Sequence, residues 1–413
     1  MSDELPSGWA WTRVGDICNV EYGKGLSKNN RVESGAIEVY GSAGLAGHHD
    51  QALVEEPVVV VGRKGNAGAV WLTNRASWPI DTTYFLRPPP GLLPEFFALQ
   101  LGYEDLVGLD SSTTIPSLRR PDLEATPIAL PPVLEQGRIV AAIEEHFSRL
   151  DAADATLAAA RRKLASLRRS AIARLFDHAD WPWTTLGEIA EIKGGVTKDS
   201  KRQSDPGYVE VPYLRVANVQ RGYLDLSEVS RIRVRPAKAA QLALRTGDVL
   251  FNEGGDRDKL GRGWVWDGQI DNCIHQNHVF RARLSSGEFD PYFVSVHGNT
   301  WGQRWFETHG KHTTNLATLN LTTLKSFPVP APPLAEQRKV VAEFQSIRRS
   351  EDRLRAEISR AESRSASLRR SILADAFSGR LVAQDPTDEP ASVLLDRIAA
   401  SRPAKPGHQR RTP

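Results

Sequence analysis

The pattern of apolar residues along the chain changes its period twice, and each change predicts a long helix. Over 133–178 and 334–380, apolar positions recur at alternating spacings of three and four, and proline is absent. Glu351 and Ser365 interrupt the second of these stripes. Neither stripe is strong enough for a solitary helix, so we expect the two helices to pair as an antiparallel coiled coil. The predicted coiled-coil residues are Leu150, Leu157, Leu164, Leu167, Ile347, Leu354, Ile358, Leu368 and Ile372.

The remaining parts of the chain alternate short β-rich runs, such as Val58–Val61 and Val249–Phe251, with glycine-rich turns. This pattern is typical of small mixed α/β globules. We therefore predict an α+β fold in which two such domains are joined by two long helices, with a pseudo-twofold relation. The predicted domains are 1–130 (first globule), 131–179 (first helix), 180–330 (second globule), 331–380 (second helix) and 381–413 (a partly disordered C-terminal tail).

An internal repeat supports this division. Trp9–Ile17 resembles Trp181–Ile189, and residues 132–176 match residues 333–377 without any insertion. Long helices that pack in register do not tolerate insertions, whereas loops do. Two copies of one globule on a rigid arm suit a two-part linear ligand, such as duplex DNA.

Several loops combine glycine with basic, amide or hydroxyl side chains that can contact phosphates or base edges. Plain exposed turns are the commoner meaning of such loops, and helix capping is an alternative for the Ser/Thr strings before each helix. The candidate DNA-binding residues in these loops and strings are Arg63, Lys64, Asn66, Thr113, Thr114, Asn252, Arg257, Lys259, Arg262, Lys311, Thr313, Thr314 and Asn315.

Composition narrows the class of protein. The net formal charge of +3 does not by itself indicate a nucleic-acid binder. Two cysteines fit a reducing compartment, and no stretch is apolar enough to span a membrane, so we expect a cytoplasmic protein. The motifs of phosphate-binding loops, serine hydrolases, zinc proteases and amino methyltransferases are absent, and Cys273, His275 and His278 do not complete a metal site. We therefore predict neither catalytic nor metal-binding residues.

Longer motifs occur in order in both halves. The first globule has Val39–Gly47 and Val61–Gly68, and the second has Pro212–Val219 and Gly247–Phe251. A Pro-Pro-x-x-Glu-Gln motif begins at Pro131 and again at Pro332. With these motifs the chain resembles the specificity (S) subunits of type I restriction–modification systems, over nearly its whole length.

The resemblance implies a non-catalytic DNA-recognition subunit. Each globule would read one half of a bipartite, asymmetric site in double-stranded DNA. The motifs that carry the resemblance add six candidate DNA-binding residues, namely Tyr40, Ser42, Thr197, Lys198, Arg215 and Asn218. The helices would set the spacing of the half-sites and dock two modification (methyltransferase) subunits, and restriction (translocase/endonuclease) subunits would join the complex. S-adenosylmethionine, ATP and Mg²⁺ would be bound by those partners, with no cofactor in this chain. Two alternatives stay open, a coiled-coil scaffold that binds protein partners and a self-contained nuclease or methyltransferase with an unfamiliar site.

Overall fold

A computed structural model describes residues 5–109, 116–178, 180–199, 203–255, 259–312 and 317–402. The chain forms two compact units. Unit 1 comprises residues 1–158 and 359–413, and unit 2 comprises residues 159–358. Each unit therefore contains one globule and one segment of each long helix.

The first globule is built around an antiparallel four-stranded sheet in the order β2-β8-β5-β6. A second sheet has the order β4-β3-β7, and β1 pairs with β9. Its elements are β1 (Ala10–Arg13), α1 (Val14–Ile17), β2 (Val20–Tyr22), a 3-10 turn (Lys28–Asn30), β3 (Ile37–Gly41), β4 (Gly44–His49), β5 (Val59–Gly62), β6 (Val70–Leu72), β7 (Ser77–Pro79), β8 (Thr83–Leu86), α2 (Pro94–Tyr103), α3 (Arg120–Ala125) and β9 (Pro127–Leu130), followed by the long helix α4 (Val133–Arg174).

The second globule repeats this plan with a sheet in the order β11-β20-β16-β18 and a second sheet in the order β15-β12-β19. Short ribbons (β10-β23, β13-β14 and β17-β22-β21) complete it. Its elements are β10 (Trp183–Thr185), α5 (Leu186–Ile189), β11 (Ala190–Lys193), β12 (Val209–Leu214), β13 (Val219–Gln220), β14 (Tyr223–Leu224), β15 (Ser230–Val234), α6 (Pro236–Leu242), β16 (Asp248–Asn252), β17 (Gly254–Gly255), β18 (Gly263–Trp266), β19 (Ile274–His275), β20 (Val279–Leu284), α7 (Pro291–Asn299), α8 (Trp301–His309), β21 (Lys311–His312), β22 (Ala317–Thr318), α9 (Leu321–Lys325) and β23 (Pro328–Pro330). The long helix α10 (Leu334–Phe377) and the terminal helix α11 (Ala391–Ser401) follow.

The segment after α10 packs firmly against the first globule. Leu394 and Ile398 of α11 are buried in the same core as Phe96 and Phe97 of α2. Arg402, just beyond α11, donates a hydrogen bond to the backbone oxygen of Gly15 (2.9 Å). The predicted tail is therefore an integral layer of unit 1 as far as residue 402.

The segments of α4 and α10 run antiparallel within each unit. In unit 2, Arg168 of α4 pairs with Glu351 of α10 (3.0 Å), and Ile172 shares a buried cluster with Phe344. In unit 1, Arg369 pairs with Asp151 (2.8 Å) and Asp154 (2.9 Å). The two arginines are equivalent residues of the repeated Ser-Leu-Arg-Arg-Ser sequence. Each copy therefore places one arginine side chain against the facing helix.

This polar seam corrects part of the predicted coiled coil. The prediction is wrong for three residues, since Leu167, Leu354 and Leu368 are exposed by 57%, 45% and 46%. Glu351 and Ser365, which interrupt the apolar stripe, are instead buried. Arg168 and Arg369, which follow Leu167 and Leu368, face the partner helix and turn these two leucines outward. Leu354 is followed by Arg355, which pairs with Glu351 along the same helix. The other predicted seam residues are half-buried, namely Leu150, Leu157, Leu164, Ile347, Ile358 and Ile372.

A buried glutamine fixes the first turn of each long helix to its own globule. The Gln136 side-chain oxygen accepts a hydrogen bond from the Leu93 backbone N–H (2.8 Å), and its amide donates to the backbone oxygens of Gly91 and Pro131. Gln337 repeats this arrangement. Its oxygen accepts from the Asp290 N–H (2.8 Å), and its amide donates to the oxygens of Glu288 and Pro332 (both 2.9 Å). These contacts give the glutamine of the repeated Pro-Pro-x-x-Glu-Gln motif the same structural role in both copies.

We predict that Gln337→Leu lowers the free energy of unfolding of unit 2 by about 2 kcal/mol or more, because a buried N–H and two carbonyls lose their partner. Urea denaturation of the full chain, monitored by tryptophan fluorescence, measures this decrease in the free energy of unfolding. Gln345→Leu, at an exposed position of the same helix, is the control and should change stability by less than about 0.5 kcal/mol. Equal effects of the two variants would contradict the proposed role of Gln337.

Candidate nucleic-acid interface

The loop Gly62–Gly68 in unit 1 presents basic side chains from a fixed backbone. The Arg63 N–H donates to the backbone oxygen of Thr82 (2.9 Å), and the Arg63 oxygen accepts from the Leu118 N–H (2.9 Å). Gly62 is required at the start of the loop, because a Cβ there would lie 2.0 Å from the backbone oxygen of Asn66. The main chain of the loop is therefore held by its neighbours, which leaves the side chains available for other contacts.

This loop forms one wall of a small cationic cleft of about 260 Å³. Arg63, Lys64, Arg119 and Arg120 line the cleft together with the aromatic rings of Tyr22 and Tyr84. Arg119 is paired with Asp122 and Arg120 with Glu124. Among the residues that the structure describes, no carboxylate lies within ion-pair distance of Arg63 or Lys64. The cleft thus carries a net positive charge suited to phosphate or to base acceptors.

Two tyrosines form the aromatic part of the cleft. The rings of Tyr22 and Tyr84 meet edge to face, with centroids 5.1 Å apart, and the Arg63 guanidinium lies 5.3 Å from the centre of the Tyr22 ring. Burial raises the pKa of Tyr84 to about 12, and its hydroxyl donates to the backbone oxygen of Leu118 (3.2 Å). Tyr84 is therefore a structural support, whereas Tyr22 is half-exposed and able to contact a ligand.

Several residues predicted from the sequence do lie together in unit 1. Ser42 adjoins this loop, because its N–H donates to the Thr82 hydroxyl (3.3 Å), and Lys64 and Asn66 are exposed. Tyr40 is less available, since its hydroxyl donates to Glu38 (2.9 Å) and burial raises its pKa to about 12. Contact of these side chains with DNA stays a prediction.

In unit 2 the structure corrects two candidates. Asn218 is buried, and its side chain bonds the backbone of Arg215, Asp225 and Glu228. Asn252 is also buried, and its amide donates to the backbone oxygens of Val216 and Val219. Both asparagines hold the strand ends in place and do not present an edge to a ligand.

The other candidates in unit 2 are more accessible. Arg262 is half-buried and donates to the backbone oxygen of Val216 (3.4 Å), and Arg215 lies 3.5 Å from Glu228. Thr197, Lys198 and Lys311 are exposed, and Lys259 is half-buried. Six further candidates lie outside the described residues, namely Thr113, Thr114, Arg257, Thr313, Thr314 and Asn315.

Sequence reasoning missed three residues of the cationic cleft, Tyr22, Arg119 and Arg120. The Arg119-Arg120 pair follows the predicted Ser/Thr string closely and is a signal that could have been used. Tyr22 carries no such signal, because a single tyrosine at the end of a strand is usually a packing residue. No His, Cys, Asp or Glu group suited to a metal is present in the described part of the chain. No helix described here is long and apolar enough to cross a membrane.

Comparison with known proteins identifies the family. The family model described as the type I restriction modification DNA specificity domain matches twice, at residues 6–159 and 178–360. The StySPI specificity subunit of Salmonella potsdam is 23% identical and the EcoKI specificity subunit of Escherichia coli K12 is 22% identical, each over 98% of this chain and 97% of the relative. The chain belongs to the type I restriction–modification specificity subunits, and its function is to recognise DNA sequence rather than to catalyse a reaction.

Solved structures agree on the fold. A chain from a study of complex assembly and conformational transition of the type I R-M system is 21% identical, with a TM-score of 0.71 over 92% of this chain and all of that chain. The HsdS subunit of Thermoanaerobacter tengcongensis is 19% identical, with a TM-score of 0.57 over 91% of this chain and 98% of that one. A scaffold that binds only proteins is not favoured, since both globules match a DNA specificity domain.

We predict that the double variant Arg63→Ala/Lys64→Ala binds duplex DNA more weakly and with a salt dependence reduced by about one in the log–log slope, if Lys64 contacts one phosphate. Fluorescence anisotropy of the full chain with a labelled duplex at several salt concentrations measures the slope. Arg149→Ala, which removes an exposed cation on α4, should leave it unchanged. A slope equal to that of the unaltered protein would show that the cleft does not contact phosphates.

Proposed function

We propose that each globule of this chain reads one half of a bipartite DNA site and that the paired helices set the distance between the halves. One observation carries the proposal above the rest. The strands that end at the loop have the same order and register in the two globules. Val61 pairs with Tyr84 in unit 1, and Phe251 pairs with Phe280 at the equivalent place in unit 2. The side chains in the two loops nevertheless differ. Two globules with equivalent backbones and different exposed side chains are suited to reading two different half-sites.

We further propose that the outer faces of the helices bind two methyltransferase subunits and that restriction subunits complete the assembly. The support is the exposure of large apolar side chains, Leu167 and Leu354 in unit 2 and Leu368 in unit 1. An exposed leucine makes few contacts that binding of another protein would disrupt. Binding is favoured when a partner covers the leucine, because apolar surface is removed from water. S-adenosylmethionine, ATP and Mg²⁺ belong, in this proposal, to the partner subunits.

A map of N6-methyladenine in the genome, with the gene intact and deleted, tests the proposed function. We expect one split motif with a fixed gap to lose its methylation when the gene is deleted. Restoration by a plasmid copy is the control for secondary effects of the deletion. If no motif changes while the methyltransferase is expressed, the chain is not the reader.

The spacing role has its own test. Deleting Ala155–Arg161 together with Ala356–Glu362 removes seven equivalent residues from each helix and retains Asp151, Arg168, Glu351 and Arg369, which form the cross-helix ion pairs. At ~1.5 Å per residue the helices shorten by roughly 10 Å, so we predict a gap about three base pairs shorter, or loss of the motif. Deleting α4 residues alone is the control and should abolish the motif by breaking the register. A motif with an unchanged gap would contradict the spacing role.

A further inference from the structure

One backbone position is shared by the two globules and carries opposite charges in them. In unit 1, the N–H of Arg63 donates to Thr82 O, and its carbonyl accepts from Leu118 N–H. In unit 2, the N–H of Glu253 donates to the backbone oxygen of His278 (2.9 Å), and its carbonyl accepts from the Leu319 N–H (2.6 Å). Leu118 and Leu319 are 201 residues apart, the same separation as in the repeated segments 132–176 and 333–377, so Arg63 and Glu253 occupy equivalent positions.

The strands before this position confirm the equivalence. β5 and β16 are the third strands of equivalent sheets, and each ends one residue before Arg63 or Glu253. The residue after it forms a bridge with the same partner position, Lys64 with Ser117 and Gly254 with Thr318. Two main-chain hydrogen bonds and one bridge therefore hold the position in both globules, independently of its side chain.

In unit 2 the side chain at this position contacts a histidine and stays partly accessible. The Glu253 Oε2 atom lies 2.5 Å from the His278 Nδ1 atom, and the His278 Nε2 atom lies 3.3 Å from the Asn277 amide nitrogen. The side chain of Glu253 is 27% exposed and that of His278 is 55% exposed. A carboxylate has more acceptor capacity than one hydrogen bond uses, so Glu253 can accept a further donor.

An acidic side chain such as Glu253 is unexpected at this position in a protein that binds DNA, which is itself negatively charged. A partly exposed contact between a carboxylate and an imidazole contributes little to stability, and the backbone contacts already hold the loop. A carboxylate near DNA is repelled by phosphates, so it favours binding only where it meets a donor. The donors in the major groove are the exocyclic amino groups of cytosine and adenine, and Glu is a partner for cytosine N4. Arginine has the opposite preference, for the guanine O6 and N7 acceptors.

We propose that this shared position reads one base in each half-site, with Arg63 contacting guanine in the first and Glu253, held by His278, accepting a hydrogen bond from cytosine N4 in the second. The inference rests on the proposed function and adds the residue and the base. The local surroundings differ in the same sense, since a cationic cleft surrounds Arg63, whereas Glu253 is in contact with the His278 imidazole.

The test uses cells that express the complete restriction–modification system with Glu253→Gln, Glu253→Ala or the control Glu210→Gln, followed by mapping of N6-methyladenine. Glu210 is a half-exposed partner of Arg231 on another strand of the same globule. Glutamine can still accept from His278 but pairs best with adenine. We expect Glu253→Gln to change cytosine to adenine at one position of the second half-site, by roughly 5- to 150-fold in preference. Glu253→Ala should relax that position, and the first half-site should stay unchanged.

The reciprocal variant, Arg63→Gln, should change guanine to adenine at one position of the first half-site alone. It keeps the inference testable if the Glu253 variants fold poorly, which thermal unfolding beside Glu210→Gln detects. A wild-type motif for both Glu253→Gln and Arg63→Gln overturns the inference. Uniform loss of both half-sites in folded variants also overturns it. If the intact system yields no split motif at all, it is the proposed function that fails.

Discussion

The hydrogen bonds of two buried glutamines determine how each long helix leaves its globule. A helix that starts in a loop can point in many directions, because its first turn has unsatisfied N–H groups and few packing contacts. Gln136 and Gln337 remove that freedom by binding, at once, the loop before a short helix and the proline two residues before the long helix. Each buried glutamine side chain satisfies three backbone groups, so the direction of the helix is coupled to the integrity of the globule.

The seam between the helices shows why a polar interface serves this fold. An apolar heptad seam can shift by one repeat at modest cost, whereas an arginine that must meet an acid on the facing helix disfavours other registers. Arg168 and Arg369 supply this constraint once in each unit, with Glu351 in unit 2 and with Asp151 and Asp154 in unit 1. The same arrangement turns the neighbouring Leu167 and Leu368 outward, where both side chains are exposed.

The sequence predicts the long helices and the buried strands well, because periodicity and the repeat report them directly. α4 and α10 begin and end within a few residues of the pattern limits. Side-chain roles in loops were harder to predict. Asn218 lies in a loop and Asn252 is the last residue of β16, yet both side chains point inward, since the strand ends in unit 2 leave backbone groups that need a partner. Only the fold brings Tyr22, Arg63 and Arg119 into one cleft across 97 residues of chain.

The division between main-chain and side-chain contacts bears on how such a protein can change its specificity. At the shared position, hydrogen bonds between backbone groups hold the loop. A change from arginine to glutamate therefore alters the charge and the hydrogen-bonding groups of the side chain without altering the backbone. A loop held by its own side chains could not vary in this way, because each new side chain would cost a structural bond. Asn252 illustrates the contrast one residue earlier, where Gly62 stands in the first globule. There the asparagine amide is committed to two backbone oxygens, so the fold constrains that residue while its neighbour is free to differ.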